Sequence, residues 1–312
     1  MLSLSKNQLA ILCLITANII FGAAAPIFKW SLDDIQPFTL AFLRFALAAA
    51  IIYPFVRKKL KIERADWPIL LFISVICLTF EISYFFTGLK LTSSINFPII
   101  ASSAPILLII SSAIFLKEKP KKKVINGTII SLIGVLIIIL HPFFQSGLNN
   151  SMIGNILLTI SVGLSVLYTI LLKKISAKYN PLTLTFWIFT TTAISLLPLM
   201  LFEASQTNQL LTINAKSLTG IIFGAVICTT VGYVLTTFAL KYIAANEVGL
   251  FSYVDPVIAV IIAKPLLGET ISTTFIMGSI LIFFGIFIAE GRLHYHPVHL
   301  LLKKPQNPNN QT

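Results

Sequence analysis

Predominantly apolar stretches long enough to cross a bilayer recur through this 312-residue chain, and nothing else in the sequence restricts its fold as severely. A helix needs about 20 such residues to span ~30 Å of hydrocarbon. Backbone polar groups in lipid must be satisfied internally, and runs this long achieve that as helices. The sequence predicts about ten spans: Gln8 to Phe28, Gln36 to Val56, Pro68 to Leu89, Ile95 to Leu116, Val124 to His141, Met152 to Leu172, Leu182 to Phe202, Leu218 to Leu240, Asn246 to Leu267 and Thr270 to Glu290. With 56% hydrophobic and 11% charged residues and a mean hydropathy of +0.92, the chain has too little polar surface for a soluble globule. The expected class is an all-α integral membrane protein.

The formal net charge of +12 would suit a nucleic-acid binder, but the cations are confined to short clusters between apolar stretches and form no basic stripe with interleaved aromatics. No nucleic-acid partner is expected; the solvent partner is membrane lipid. Arg57-Lys58-Lys59-Lys61-Arg64, Lys117-Lys119-Lys121-Lys122-Lys123 and Lys173-Lys174-Lys178 occupy every second connection, joined by Lys6, Lys241, Arg292, Lys303 and Lys304. The alternate connections hold only Lys29, Lys90, Lys216 and Lys264. Cytoplasmic loops carry the Lys/Arg excess, so both termini are predicted to be cytoplasmic. Lys6 and Ala23-Ala24-Ala25 imitate a secretory signal, but the apolar run between them is long enough to span.

The chain from Thr87 to Ile139 superposes on Phe238 to Glu290 at one fixed offset, pairing Lys90/Lys241, Pro105/Pro256, Leu116/Leu267, Glu118/Glu269, Gly127/Gly278 and Gly134/Gly285. Lys29/Lys173, Pro37/Pro181, Thr39/Thr183, Leu40/Leu184 and Pro54/Pro198 share a slightly smaller offset, the difference falling in the polar segment Glu203 to Lys216. The expected organisation is a five-helix repeat over 1–145, a second over 146–291 and a cytoplasmic tail over 292–312. An odd number of spans per copy enters the second copy upside down, the framework of alternating-access carriers.

The run Phe42-Leu43-Arg44-Phe45 in the second span, the mid-span prolines of the fourth and ninth, and the exits Leu116-Lys117-Glu118 and Leu267-Gly268-Glu269 resemble those of the EamA-type transporters of the drug/metabolite transporter superfamily. The resemblance covers the whole membrane part. It implies a multi-pass carrier of the bacterial inner (plasma) membrane, moving amino acids or related metabolites through a cavity between the repeats. The second copy departs from the first at Trp187 and Ile188, where no arginine answers Arg44.

Proline cannot donate to the carbonyl four residues back, so Pro105 and Pro256 are expected to act as hinges and free the carbonyls of Ala101 and Ser252. Ser102, Ser103, Tyr253 and Asp255 lie beside them as candidate substrate contacts. Arg44, Glu81 and Asp255 are ionisable residues inside spans; each costs ~2.5–3.5 kcal/mol there unless it faces protein or water. Arg44 has two readings, a structural ion pair with Glu81 or Asp255, or direct contact with substrate. Glu81, Tyr84 and Gly88 fall on one helical stripe. Tyr168 and Tyr233 offer hydroxyls and Asn96 an amide, completing a mostly apolar pocket. Asn18 offers a further amide, and Lys264 is expected to snorkel outward.

No Ser/His/Asp set, HExxH spacing or phosphate loop occurs within the spans, so neither an enzyme nor an ATP-driven pump is expected, and no cofactor is implied. His294, His296 and His299 lack companions for a metal site, and Cys13, Cys77 and Cys228 have no ligand spacing. The expected function is secondary transport of a small-molecule substrate, an amino acid or related amine or carboxylate, by alternating access and in the export direction, with Glu81 and Asp255 available for proton coupling. Exchange or uptake of a nucleoside-derived metabolite such as S-adenosylmethionine is the alternative, and lipid translocation a further one. Oligomeric state does not follow from the sequence, although one chain holds both halves.

Overall fold

The protein is described from a computed structural model over residues 6–104, 107, 111, 122–146, 149–207, 214–243 and 249–290. These residues are helical, with no strand among them. In chain order the helices are α1 (Lys6–Ser31), α2 (Pro37–Val56), α3 (Arg64–Leu91), α4 (Asn96–Ala101), α5 (Lys122–Ser146), α6 (Asn150–Ser176), α7 (Pro181–Thr207), α8 (Ala215–Tyr242), α9 (Asp255–Leu267) and α10 (Thr273–Glu290). Six of them, α1, α2, α3, α6, α7 and α8, are long and apolar enough to cross a membrane. Two shorter apolar stretches, Ile125–Ile138 in α5 and Thr273–Gly285 in α10, accompany them. The chain is a multi-pass membrane protein.

Local chemistry sets the ends. Pro37 opens α2, where a missing N–H is harmless. The Asn149 side chain accepts from the Met152 amide at the start of α6, and Asn214 and Ser217 form a reciprocal capping box before α8. Gly268, at φ 64°, ends α9 in the left-handed conformation that glycine adopts without strain.

Large apolar side chains such as Phe55, Ile194, Phe202 and Ile261 point outward, as lipid-facing residues do. Association in lipid then depends on close packing rather than on exclusion of water. Gly88 of α3 and Gly154 of α6 meet backbone to backbone: a Cβ on either would stand 2.8 Å from the other's carbonyl oxygen. Helices α5 and α10 cross in the same manner, and a Cβ on Gly134 would come within 2.6 Å of the Gly278 carbonyl.

Several contacts recur at the sequence offset. Both α3 and α8 widen into π-helix, over Phe72–Leu78 and Phe223–Tyr233, and the two stretches begin at equivalent residues. In each, a threonine hydroxyl bonds the carbonyl five residues back, Thr79 to Ser74 at 2.8 Å and Thr230 to Ala225 at 2.7 Å. Lys29 of α1 donates to the Leu89 carbonyl that ends α3, and Lys173 of α6 donates to the Leu240 carbonyl that ends α8. Each lysine thereby supplies a cation to orphan carbonyls at a helix C-terminus.

The connections gather into two groups. Lys90 bonds Gln36, Lys216 pairs with Asp33, and Glu203 accepts from the Phe38 and Thr39 amides at the N-terminus of α2. Glu269, just past α9, accepts from Ser93 Oγ, from the amide and Oγ of Ser94 and from the Ile95 amide. The second group joins Asp66 to Lys178 and Tyr179, Thr183 to the Lys59 carbonyl and Trp187 to the Leu60 carbonyl. Trp67 packs edge-on against Trp187 at 4.9 Å between ring centres. Among the described residues, the connections after α1, α3, α7 and α9 therefore lie together, and those after α2 and α6 lie together.

Candidate functional site

A cavity of about 220 Å³ lies where α1, α3 and α4 meet α6, α8 and α9, with Arg44 of α2 in its wall. Its apolar surface comes from Phe21, Phe28, Phe85 and Phe97. Tyr233 sits at the centre of an aromatic cluster, edge-on to Phe21, Phe45, Tyr168 and Phe189 at 5.6 to 6.2 Å.

Arg44 is 2% exposed. Its Nε donates to Thr229 Oγ1 at 2.8 Å and its Nη2 reaches Cys228 Sγ at 3.7 Å, both on the π-helical stretch of α8. The guanidinium stands over the rings of Phe28, Phe45 and Phe86 at 5.0, 4.9 and 5.6 Å. Ring faces attract a desolvated cation, so these rings offset part of its burial. Of the two readings of Arg44, the ion pair is not made: among the described residues neither Glu81 nor Asp255 comes within salt-bridge distance of it. Its hydrogen bonds go instead to a hydroxyl and a thiol, because α2 packs directly on the widened turn of α8.

Glu81 projects into the cavity from α3 and interacts electrostatically with Arg44. Asp255, the first residue of α9, lines the same cavity, and its buried Oδ1 has no hydrogen-bond partner among the described residues. Gly22 brings the α1 backbone against it; a Cβ there would be 2.8 Å from the Asp255 carbonyl oxygen.

Of the candidate contacts, the structure brings Arg44, Glu81, Tyr168, Tyr233 and Asp255 together around this cavity. Tyr84 is elsewhere, against Phe80, because the cavity face of α3 runs through Glu81, Ile82 and Phe85 and leaves Tyr84 on the flank. Asn96 belongs to a different polar cluster, where its amide and Thr92 Oγ1 both donate to Asn155 Oδ1 at 2.9 Å. The Ser102 and Ser103 hydroxyls are occupied by the Pro98 and Ile100 carbonyls of their own chain. The side chain of Tyr253, and Pro105 altogether, lie outside the described residues. So do Glu118 and the histidines after Gly291.

Pro256 occupies the first turn of α9, behind a 3-10 helix over Gly249–Val254. The helix thus breaks before the proline rather than bending around a lost bond. The turn ahead of Pro105 tightens similarly, with the Ser103 amide donating to the Ile100 carbonyl three residues back.

Ser165 and Thr169 of α6, Thr236 and Thr237 of α8, and Ser252 also line the cavity and were missed from sequence. One signal was present: Ser161, Ser165 and Thr169 repeat every four residues on an otherwise apolar helix, the spacing of one face.

The sequence profile of the EamA-like transporter family matches residues 8–140 and again 152–290. The chain is 24% identical to an uncharacterized transporter of Archaeoglobus fulgidus over 92% of its own length and 99% of that protein's. It is 27% identical to the uncharacterized transporter YyaM of Bacillus subtilis, over 88% and 91% of the two lengths. A protein of known crystal structure, 18% identical, shares the fold with a TM-score of 0.64 over 90% of this chain and 96% of that one. With apolar spanning helices around a central cavity and a family profile matched along nearly all of its length, the chain belongs to the EamA-like transporter family and is a membrane transporter.

Proposed function

We propose that this transporter is a secondary carrier for a small amphipathic metabolite, an amino acid or related amine or carboxylate, working by alternating access across the bacterial inner membrane in the export direction. The observation that carries the reading is the cavity, whose walls come in near-equal part from α1, α3 and α4 and from α6, α8 and α9. The two halves, 1–145 and 146–291, are inverted repeats that rock about this site, with 292–312 as a cytoplasmic tail. The matched π-helical stretches, the matched lysine caps and the alternating grouping of connections support that arrangement. The two matches of the family profile support the same division.

Pro105 and Pro256 act as hinges beside the site, and Arg44, Glu81, Tyr168, Tyr233 and Asp255 contact the substrate. The basic connections face the cytoplasm, with both termini. The membrane potential supplies ~2.3 kcal/mol per charge per 100 mV, enough to drive tens-fold extrusion. Proton coupling through Glu81 or Asp255 adds a second gradient.

The test is counterflow in proteoliposomes with radiolabelled amino acids and amines at several external pH values. Saturable flux that Glu81→Gln and Asp255→Asn alter in its pH dependence supports the proposal. Vesicles no more permeable than protein-free liposomes to every solute in the series would sink it.

A further inference from the structure

Four serine and threonine hydroxyls in the lining are one-sided in their hydrogen-bonding chemistry, beside the donors that Arg44, Tyr168 and Tyr233 bring. A serine or threonine hydroxyl has one proton to donate, and here each gives it to its own helix: Ser165 to the Val162 carbonyl, Thr169 to Ser165, Thr236 to Gly232 and Thr237 to Tyr233, all at 2.7 to 2.9 Å. What these groups leave for a ligand is oxygen lone pairs. Asn18 gives one amide proton to the Leu14 carbonyl at 2.8 Å and keeps its carbonyl oxygen and one N–H. Asp255 adds a buried carboxylate oxygen with no donor facing it among the described residues, a costly arrangement unless the occupant brings the donor.

Charge points the same way. Arg44 is the one cation among the described residues of the lining, against the two carboxylates of Glu81 and Asp255. Its Nε and Nη2 are engaged by Thr229 and Cys228, its faces by rings, and Glu81 is the carboxylate in its electrostatic field. Among the described residues Asp255 is left without a cation.

We propose that the cavity selects a monocationic primary amine, its ammonium N–H groups bonded to Asp255 and to the acceptor hydroxyls, its apolar body held against Phe21, Phe28, Phe85 and Phe97. A zwitterion or carboxylate would bring a further anion into a lining that sets Glu81 and Asp255 against one cation, Arg44, already held by Thr229 and Cys228. This inference rests on the cavity being the substrate site and narrows the proposed substrates to amines.

The test uses the purified full-length protein and four probes with a common phenyl body: 2-phenylethylamine, phenylalanine, 3-phenylpropionate and 2-phenylethanol. Saturable thermal stabilisation by the amine alone is expected, weakened at least ~10-fold in Asp255→Asn, the loss that removal of a charged hydrogen bond brings, and largely retained in Asp255→Glu. Should the asparagine variant not fold, the probe series on the native protein decides by itself. Equal or tighter binding of phenylalanine or phenylpropionate, amine binding unchanged in Asp255→Asn, or no binding of the amine would overturn the proposal. Phenylalanine bound and carried into vesicles would end the charge assignment while leaving the transport reading intact. An amine bound tightly yet never translocated would do the reverse.

Discussion

Removal of the Glu269 carboxylate should loosen one end of the molecule by an amount the structure sets. Its oxygens accept from Ser93 Oγ at 2.8 Å, the Ser94 amide at 2.8 Å, Ser94 Oγ at 2.9 Å and the Ile95 amide at 3.3 Å, tying the α9–α10 connection to the α3–α4 connection. Hydrogen bonds to a charged acceptor contribute ~1.5–3 kcal/mol each when buried. These are only part-buried, so freed donors recover water, and bonds sharing one acceptor group are not additive. A net loss of roughly 2 kcal/mol in Glu269→Ala is expected, a roughly 30-fold shift toward conformations in which the tie is open. The assay places a cysteine at Ala101, on the cavity wall, in a chain with Cys13, Cys77 and Cys228 replaced. The rate of reaction with an impermeant maleimide applied on the Ser93 side is then followed. It should rise by tens-fold in Glu269→Ala and less in Glu269→Gln, which keeps an acceptor oxygen but not the charge. An unchanged rate, or acceleration only from the opposite side, would refute the reasoning.

Other outcomes follow from the same geometry. Arg44→Lys should abolish transport despite keeping the charge, because an ammonium cannot both reach Thr229 and lie flat against three rings; flux in vesicles decides. Gly88→Val should lower the thermal midpoint strongly, since overpacking at a 2.8 Å backbone contact costs ~1–3 kcal/mol, whereas Gly163→Ala, with nothing within 4 Å of the added carbon, should leave the midpoint near wild type. The Asp66 hydrogen bond holds the Lys178 ammonium above the usual lysine range. This contribution is fully present below lysine's ordinary value and lost as pH rises through the raised one, so Asp66→Asn should flatten the alkaline fall of the melting midpoint.

The sequence was most legible where chemistry is local or repeated. Lys29 and Lys173 were visible as a matched pair, and the structure supplies the reason: each cation closes the end of a neighbouring helix, α3 for Lys29 and its counterpart α8 for Lys173. Arg44, Glu81 and Asp255 were legible because ionised groups in an apolar span need protein or water around them. Arg44's partners were not, since Thr229 is 185 residues away and carries no charge to advertise the pairing. Asn96, Ser102 and Ser103 bond locally: a polar side chain in a membrane helix is satisfied most cheaply by a carbonyl of its own chain or a neighbouring amide, and that is where these point, a pairing that residue type alone does not announce. The π-helical widening of α3 and α8 left no residue type to mark it, yet it sets which side chains face the cavity.

The account turns on the two halves being threaded through the bilayer in opposite senses. Single cysteines at Lys61 and Lys178 and at Ser93 and Thr270, probed with an impermeant maleimide on intact cells and on inverted vesicles, test this directly. The account predicts that the first pair reacts from the cytoplasmic face and the second from the opposite face; labelling of all four from one face would contradict it.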